Sequence, residues 1–151
     1  MNISENGLDL IKICEGCVLH AYPDEGAYSI GYGHRGVPAG AVCNQQQADD
    51  WLASDLKWTV AELNRLIYVA LTQDQFDALC SLAYNIGIGA FEHSTLLQLL
   101  NAKNYSGAAA EFIRWCHADG AVDENLLARR KKEMALFQAP DFVPCDPEFD
   151  P

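Results

Sequence analysis

The apolar residues of this chain change period twice. Over residues 4–14, Leu8, Ile11 and Cys14 recur every three positions behind Ser4, a side chain suited to capping a helix, and Gly16 closes the run. The spacing predicts a short amphipathic helix with Glu15 at its C-terminal end. Residues 18–34 then turn to β-formers, Val18, Tyr22, Tyr28, Ile30 and Tyr32, broken by Pro23-Asp24-Glu25-Gly26 and by Gly31 and Gly33. This pattern predicts a hairpin turning near Pro23–Ala27, and the loop Arg35–Gly40 leaves room for a third short strand.

Helical period returns at Asn44, a second capping residue, with Leu52, Leu56, Val60, Leu63 and Ile67 marking one long helix over 44–67. Thr72 opens another, with Phe76, Leu79, Cys80 and Ala83 on one face, and residues 87–90 read as a turn. Ser94 caps a helix carrying Leu96, Leu97 and Leu100. Further helices are expected near 105–116, through Ala109, Phe112 and Ile113, and over 125–137, through Leu127, Met134 and Phe137. Trp51, Trp58 and Trp115 read as core or lobe-packing residues. The expected fold is α+β. A small N-terminal lobe with a hairpin sheet is joined by a long helix to a helical C-terminal lobe, leaving a groove between them. One domain would cover 1–138, and the proline-rich acidic stretch 139–151 would be a loosely held extension.

Composition narrows the choices. The chain has 151 residues, half of them hydrophobic, enough for one substantial core. No apolar run approaches the roughly 20 residues that cross a bilayer. The start, MNISENGLDLIKIC, lacks a basic n-region, so the expectation is synthesis in the cytoplasm without a signal peptide. A net charge of −11 argues against nucleic acid and anionic membranes as partners. The basic block Arg129-Arg130-Lys131-Lys132 reads first as a solvated helix face. Six cysteines, at 14, 17, 43, 80, 116 and 145, read as free thiols. Cys14-Glu15-Gly16-Cys17 lacks the second ligand pair of a structural zinc site and the βαβ setting of a redox motif.

Glu15 and Asp24 stand nine positions apart. They cannot share a helix face, but a helix end and a hairpin could bring them to one substrate. Glycoside hydrolysis needs such a pair: a carboxylic acid that protonates the leaving oxygen and a carboxylate that activates water or attacks directly. The helix C-terminus and burial both oppose ionisation of Glu15, which suits the acid. Asp24, in a hairpin turn near backbone amides and water, suits the ionised partner. Ser29 could hold the water by a hydrogen bond. Asp49, Asp50 and Asp55 read as helix surface.

Glu15-Gly16, Tyr22-x-Asp24 and Tyr28-Ser29-Ile30-Gly31-Tyr32-Gly33-His34 together resemble the catalytic signature of the phage-type lysozymes, glycoside hydrolase family 24. The resemblance continues through LTQDQFDALCSLAYNIGIGAF (71–91), STLLQLLN (94–101), EFIRWCHADG (111–120) and LLARRKKEMALF (126–137). It implies an acid at Glu15, a water-positioning carboxylate at Asp24 and a hydroxyl at Ser29 where the family has Thr, acting with inversion and without a cofactor. It also implies an Arg of the last helix facing Glu15: Arg129, or else Arg130. Such a cation would oppose burial and the helix terminus, and the sequence leaves open which wins. Tyr84 and Asn85 match positions lining the family's cleft; His34, at the hairpin end, would touch the sugar or give structural support, and Ser94, a helix cap, could also bond the substrate. The Asp24–Ser29 interval is one residue shorter than the family's, so either the turn tightens or Glu25 shares the role.

What the resemblance implies is a peptidoglycan hydrolase, a muramidase cutting the β-1,4 bond between N-acetylmuramic acid and N-acetylglucosamine. It would be a monomeric phage endolysin, reaching the wall in the periplasm through a holin. The alternatives are a lysozyme-like module that grips cell-wall glycan with little turnover, or an antibacterial effector using the same chemistry.

Overall fold

The computed structural model describes residues 1–140. Cys145 and most of the expected C-terminal extension lie outside them. Helix α1 (Glu5–Glu15) begins where Ser4 caps it, the Ser4 hydroxyl accepting from the Gly7 amide, and ends at Gly16, whose amide donates to Lys12 O. The same N-terminus is tied to the neighbouring lobe, because buried Asp77 accepts hydrogen bonds from both the amide and the hydroxyl of Ser4.

Strands β1 (Val18–Asp24), β2 (Ala27–Gly31) and β3 (His34–Arg35) form an antiparallel sheet in that order. Asp24 pairs with Ala27, so only Glu25 and Gly26 make the turn. Both have positive φ, +46° and +80°, the signature of a type I′ hairpin. The short Asp24–Ser29 interval is absorbed in the turn. The third strand sits a little earlier than expected, and a bridge from His20 to Val42 ties the following loop to β1.

Asn44 caps α2 (Gln45–Leu66) through a reciprocal capping box with Gln47, and Thr72 with Gln75 does the same for α3 (Gln73–Ile86). Helix α2 serves both lobes. Leu52 and Leu56 pack with Ile11, Tyr32 and Ala48 under the sheet, whereas Val60, Leu63 and Leu66 belong to the large helical core. That core also takes Phe76, Leu79 and Leu82 of α3, Phe91, Leu96, Leu100, Phe112 and Phe137.

Four expectations need correction. The turn expected at 87–90 is the start of a five-residue helix, α4 (Ile88–Glu92), whose Ile88 and Phe91 are buried. After α5 (Thr95–Asn101), α6 (Tyr105–Glu111) stops short of residue 116. It tightens into a 3₁₀ turn over Phe112–Arg114 and leaves Ile113 exposed. The chain then enters an unforeseen hairpin, β4 (His117–Ala118) with β5 (Ala121–Val122). Trp58 is 61% exposed, since it follows Lys57 on the outer face of α2, and so is no core residue. In α7 (Glu124–Phe137), Arg129 and Arg130 are buried and only Lys131 and Lys132 form the solvated face expected of that block.

Candidate active site

One open cleft of about 420 Å³ brings together Glu15 from the end of α1, Asp24 from the end of β1, His34 from β3, and Tyr84 and Asn85 from the last turn of α3. Tyr22, Gly33, Arg35 and Asp55 complete its walls. Among the described residues no three His, Cys, Asp or Glu side chains converge to hold a metal ion.

The hairpin register sets up the first contact. Tyr22 pairs with Ser29, and Asp24 follows Tyr22 by two, so Asp24 and Ser29 are diagonal neighbours on one face. Ser29 Oγ donates to Asp24 Oδ2 at 2.8 Å. Ser29 is fully buried, and its hydroxyl is committed to the carboxylate instead of standing open to solvent. The hydroxyl expected to hold a water meets the Asp24 carboxylate in the folded chain. Arg35 adds a hydrogen bond to the Asp24 carbonyl at 3.2 Å.

Glu15 is held from the helical lobe. Arg129 Nη1 lies 2.7 Å from Glu15 Oε1, while its Nε reaches Glu133 Oε1 at 3.2 Å and its Nη2 donates to Ser81 O at 3.2 Å. Glu133 is itself buried, accepts from the Ser81 hydroxyl at 2.7 Å and sits 2.9 Å from Arg130 Nε. Arg130 donates to Asn85 Oδ1 at 2.8 Å. Burial pushes the Glu133 carboxyl up and the Arg130 guanidinium down, and their mutual attraction opposes both shifts. The second Glu15 oxygen points toward Gly33, where a Cβ would stand 3.5 Å away. With φ at +85°, Gly33 suits a bend that a larger residue would strain while crowding that oxygen.

Tyr22 registers both acids. Burial, then the charges of Asp24 and Glu15, push its phenol above the ordinary value. Tyr84 is raised further, by burial and then by Glu15 and Asp55, and its hydroxyl donates to Tyr32 O at 3.1 Å.

His34 stacks on Trp51 with ring centroids 4.7 Å apart and an interplanar angle of 4°, and its Nδ1 lies 2.9 Å from Asp55 Oδ2. Trp51 and Asp55 are four apart on α2, so one helix face supplies both supports. Asp55 had read as helix surface, yet it lines the cleft. Asp49 and Asp50 do stay on the surface, paired with Lys12 and Gln46. Ser94 does not line the cleft. It is buried as the cap of α5, its hydroxyl donating to Phe91 O at 2.6 Å and accepting from the Leu97 amide at 3.1 Å.

The profile of the phage lysozyme family matches residues 12–133, most of the chain and all of this site. The chain belongs to the phage lysozyme family. An endolysin of a phage of the Acyrthosiphon pisum secondary endosymbiont is 46% identical over 92% of this chain and 99% of its own length. The endolysin of Salmonella phage P22 is 43% identical over 91% of this chain and 98% of its own. The endolysin of Bacillus phage PZA is 46% identical over 92% of this chain. Here the chain spans only about half the relative's length, 56%. Among solved structures, the muramidase domain of SpmX from Asticaccaulis excentricus superposes with a TM-score of 0.88 at 38% identity, covering 92% of this chain and 99% of that one. A P22 lysozyme variant gives 0.83 at 41%, covering 92% and 99%. These likenesses give the chain's two lobes and intervening cleft the lysozyme-like fold.

Proposed function

We propose that the protein is a glycoside hydrolase of peptidoglycan. It cleaves the β-1,4 bond between N-acetylmuramic acid and N-acetylglucosamine and serves as an endolysin in host lysis. The observation that carries this reading is the Ser29–Asp24 hydrogen bond, 2.8 Å, in the wall of the same cleft that exposes Glu15. With Oδ2 engaged by Ser29, the other Asp24 oxygen is free to accept a proton from water. Glu15, clamped through Oε1 by Arg129, presents Oε2 to the cleft as the proton donor to the leaving oxygen. A water activated by Asp24 attacks the anomeric carbon from the face opposite the leaving group, and the product is inverted. His34, held by Trp51 and Asp55, and the Tyr84–Asn85 edge contact the sugars. Ser94 acts only through the α5 cap.

Digestion of purified sacculi in ¹⁸O-enriched water tests the reading. Muropeptides with one ¹⁸O at a reducing N-acetylmuramic end are expected, with the α-anomer formed first. Anhydro-muramic ends, or binding without release of fragments, would overturn it.

A further inference from the structure

Glu133 is wholly buried and does not line the cleft. A buried carboxylate is a costly way to hold two helices together, since apolar side chains of similar volume often fill such a place with no loss of stability. What distinguishes this one is where its partners lead. Arg130 and Arg129 stand three and four residues before Glu133 on α7, so one carboxylate meets both guanidinium groups. Oε1 takes Arg129 Nε at 3.2 Å, Arg130 Nη2 at 3.1 Å and the Ser81 hydroxyl at 2.7 Å. Each arginine then runs on to a different cleft residue. Arg129 Nη1 meets Glu15 Oε1 at 2.7 Å, and Arg130 Nη2 meets Asn85 Oδ1 at 2.8 Å. Ser81 and Asn85 are one turn apart on α3, so a single carboxylate ties α3, α7 and both cleft residues together.

We infer that Glu133 is a positioning residue with two arms: through Arg129 it fixes the acid Glu15, and through Arg130 it fixes the Asn85 amide against the sugar. The inference rests on the hydrolase reading above and goes beyond it, because it couples proton donation and substrate holding to one carboxylate that touches no substrate. A guanidinium is a rigid planar fork. Held by Glu133 at Nε and by the Ser81 carbonyl at Nη2, that of Arg129 offers Nη1 to Glu15 in one direction only. The second arm acts on an amide. With Oδ1 taken by Arg130, Asn85 keeps its Nδ2 donors for a sugar oxygen. Two guanidinium groups also exceed the charge of one carboxylate, and Glu15 supplies the balance at the cleft end of the chain Arg130, Glu133, Arg129, Glu15.

The test is a pair of double-mutant cycles read as kcat and KM on purified glycan strands. Glu133→Gln is expected to lower kcat about tenfold, a partial loss of the orientation whose full loss costs about 10²-fold. It should also raise KM about threefold, the size of one weakened hydrogen bond. On an Arg129→Lys background the kcat effect should nearly vanish while the KM effect persists. On an Asn85→Ala background the KM effect should vanish while the kcat effect persists. Ser81→Ala withdraws the hydroxyl from Glu133 Oε1 but keeps every charge; it should show the same pattern more weakly, and it carries the whole test if Glu133→Gln does not fold. Effects that simply add in both backgrounds, or a lowered melting temperature with kcat and KM unchanged, would overturn the inference. Two readouts need no turnover. Separate Nη NMR signals of Arg129 in the wild type should merge in the Glu133 or Ser81 variant as the guanidinium rotates freely, and glycan-strand binding by Glu15→Gln should weaken in that variant only while Asn85 is present. An inactive wild type that shows both would count against the hydrolase reading alone.

Discussion

Ser29 Oγ donates to Asp24 Oδ2 at 2.8 Å across a hairpin closed by only two residues. This bond makes the hairpin a part of the site and not merely its neighbour. Ser29→Ala removes the donor without emptying much volume, so the fold should persist while the carboxylate loses its orientation. The expected result is a fall in kcat of about 10²-fold with KM little changed, since misplacement of a reacting group costs on that scale. Ser29→Thr keeps the hydroxyl and should retain most of the turnover. Turbidity and muropeptide release, read beside far-UV circular dichroism, separate lost geometry from lost fold. Equal activity in Ser29→Ala and wild type would remove Ser29 from the mechanism.

The turn itself makes a second prediction. Glu25 holds φ at +46°, a left-handed conformation that costs a non-glycine residue about 1 kcal/mol or more and that Asn tolerates better. Its ion pair to Arg35, at 3.6 Å on an exposed side chain, offsets little of that. Glu25→Asn should raise stability by roughly 0.5–1 kcal/mol in urea unfolding and leave kcat as it was. A large loss of kcat would instead give Glu25 a share in the chemistry, the alternative raised by the short interval.

Much of the fold was legible because caps and periodicity coincide. Asn44 and Thr72 cap the helices that were expected to begin there, and the apolar spacing of α2 holds from Leu52 to Leu63, with Leu66 buried at the end and the expected Ile67 falling at the C-cap. Helix α4 was hidden, since two glycines in Gly87-Ile88-Gly89 read locally as a turn. The burial of Ile88 and Phe91 that makes it a helix is tertiary. The β4–β5 hairpin did carry a signal, Asp119-Gly120, and both residues have the positive φ of a two-residue turn. The helical reading that ran through residue 116 masked it. In the site, Glu15, Asp24 and Ser29 were legible from spacing and resemblance. Asp55 was not, because an acid among other acids on a helix gains meaning only when His34 is folded against it. The buried pairing of Arg129 and Arg130 with Glu133 was likewise obscured by two adjacent lysines that do face water.

Alkaline titration reports on the two acids from Tyr22. Its phenol is raised by burial and by the Asp24 and Glu15 charges, both of which oppose the phenolate. Removing the Asp24 charge in Asp24→Asn should therefore bring the Tyr22 midpoint down, read from its ¹³Cζ NMR shift, and Glu15→Gln should do so less. The linkage has a definite sign. A folded-state value above the unfolded one means the native state holds the proton longer, so this stabilisation is present below the unfolded value near 10 and is lost as pH rises through the folded value. Wild type should lose Tm in that alkaline window more steeply than Tyr22→Phe. A Tyr22 midpoint unmoved in Asp24→Asn would mean that the two side chains do not share the cleft wall.

Arg129 links the candidate acid Glu15 to the buried Glu133. One guanidinium reaches Glu15, Glu133 and the Ser81 carbonyl, in a residue almost without exposed surface. Arg129→Gln leaves Glu133 with Arg130 alone and leaves Glu15 without its partner, and removing one member of a buried ion pair costs about 3–5 kcal/mol. A loss of about 3 kcal/mol is expected, since Arg130 and the Ser81 hydroxyl still compensate Glu133. Arg129→Lys separates the two roles. It restores a charge beside Glu133 but cannot fork to Glu15 and Ser81 together, because an ammonium is a point donor where the guanidinium is a planar fork. Its melting temperature should lie between those of wild type and Arg129→Gln, while kcat falls at least tenfold with KM nearly constant. Parallel loss of stability and kcat across both variants would make Arg129 a structural residue; kcat lost with stability largely kept makes it the residue that positions the acid.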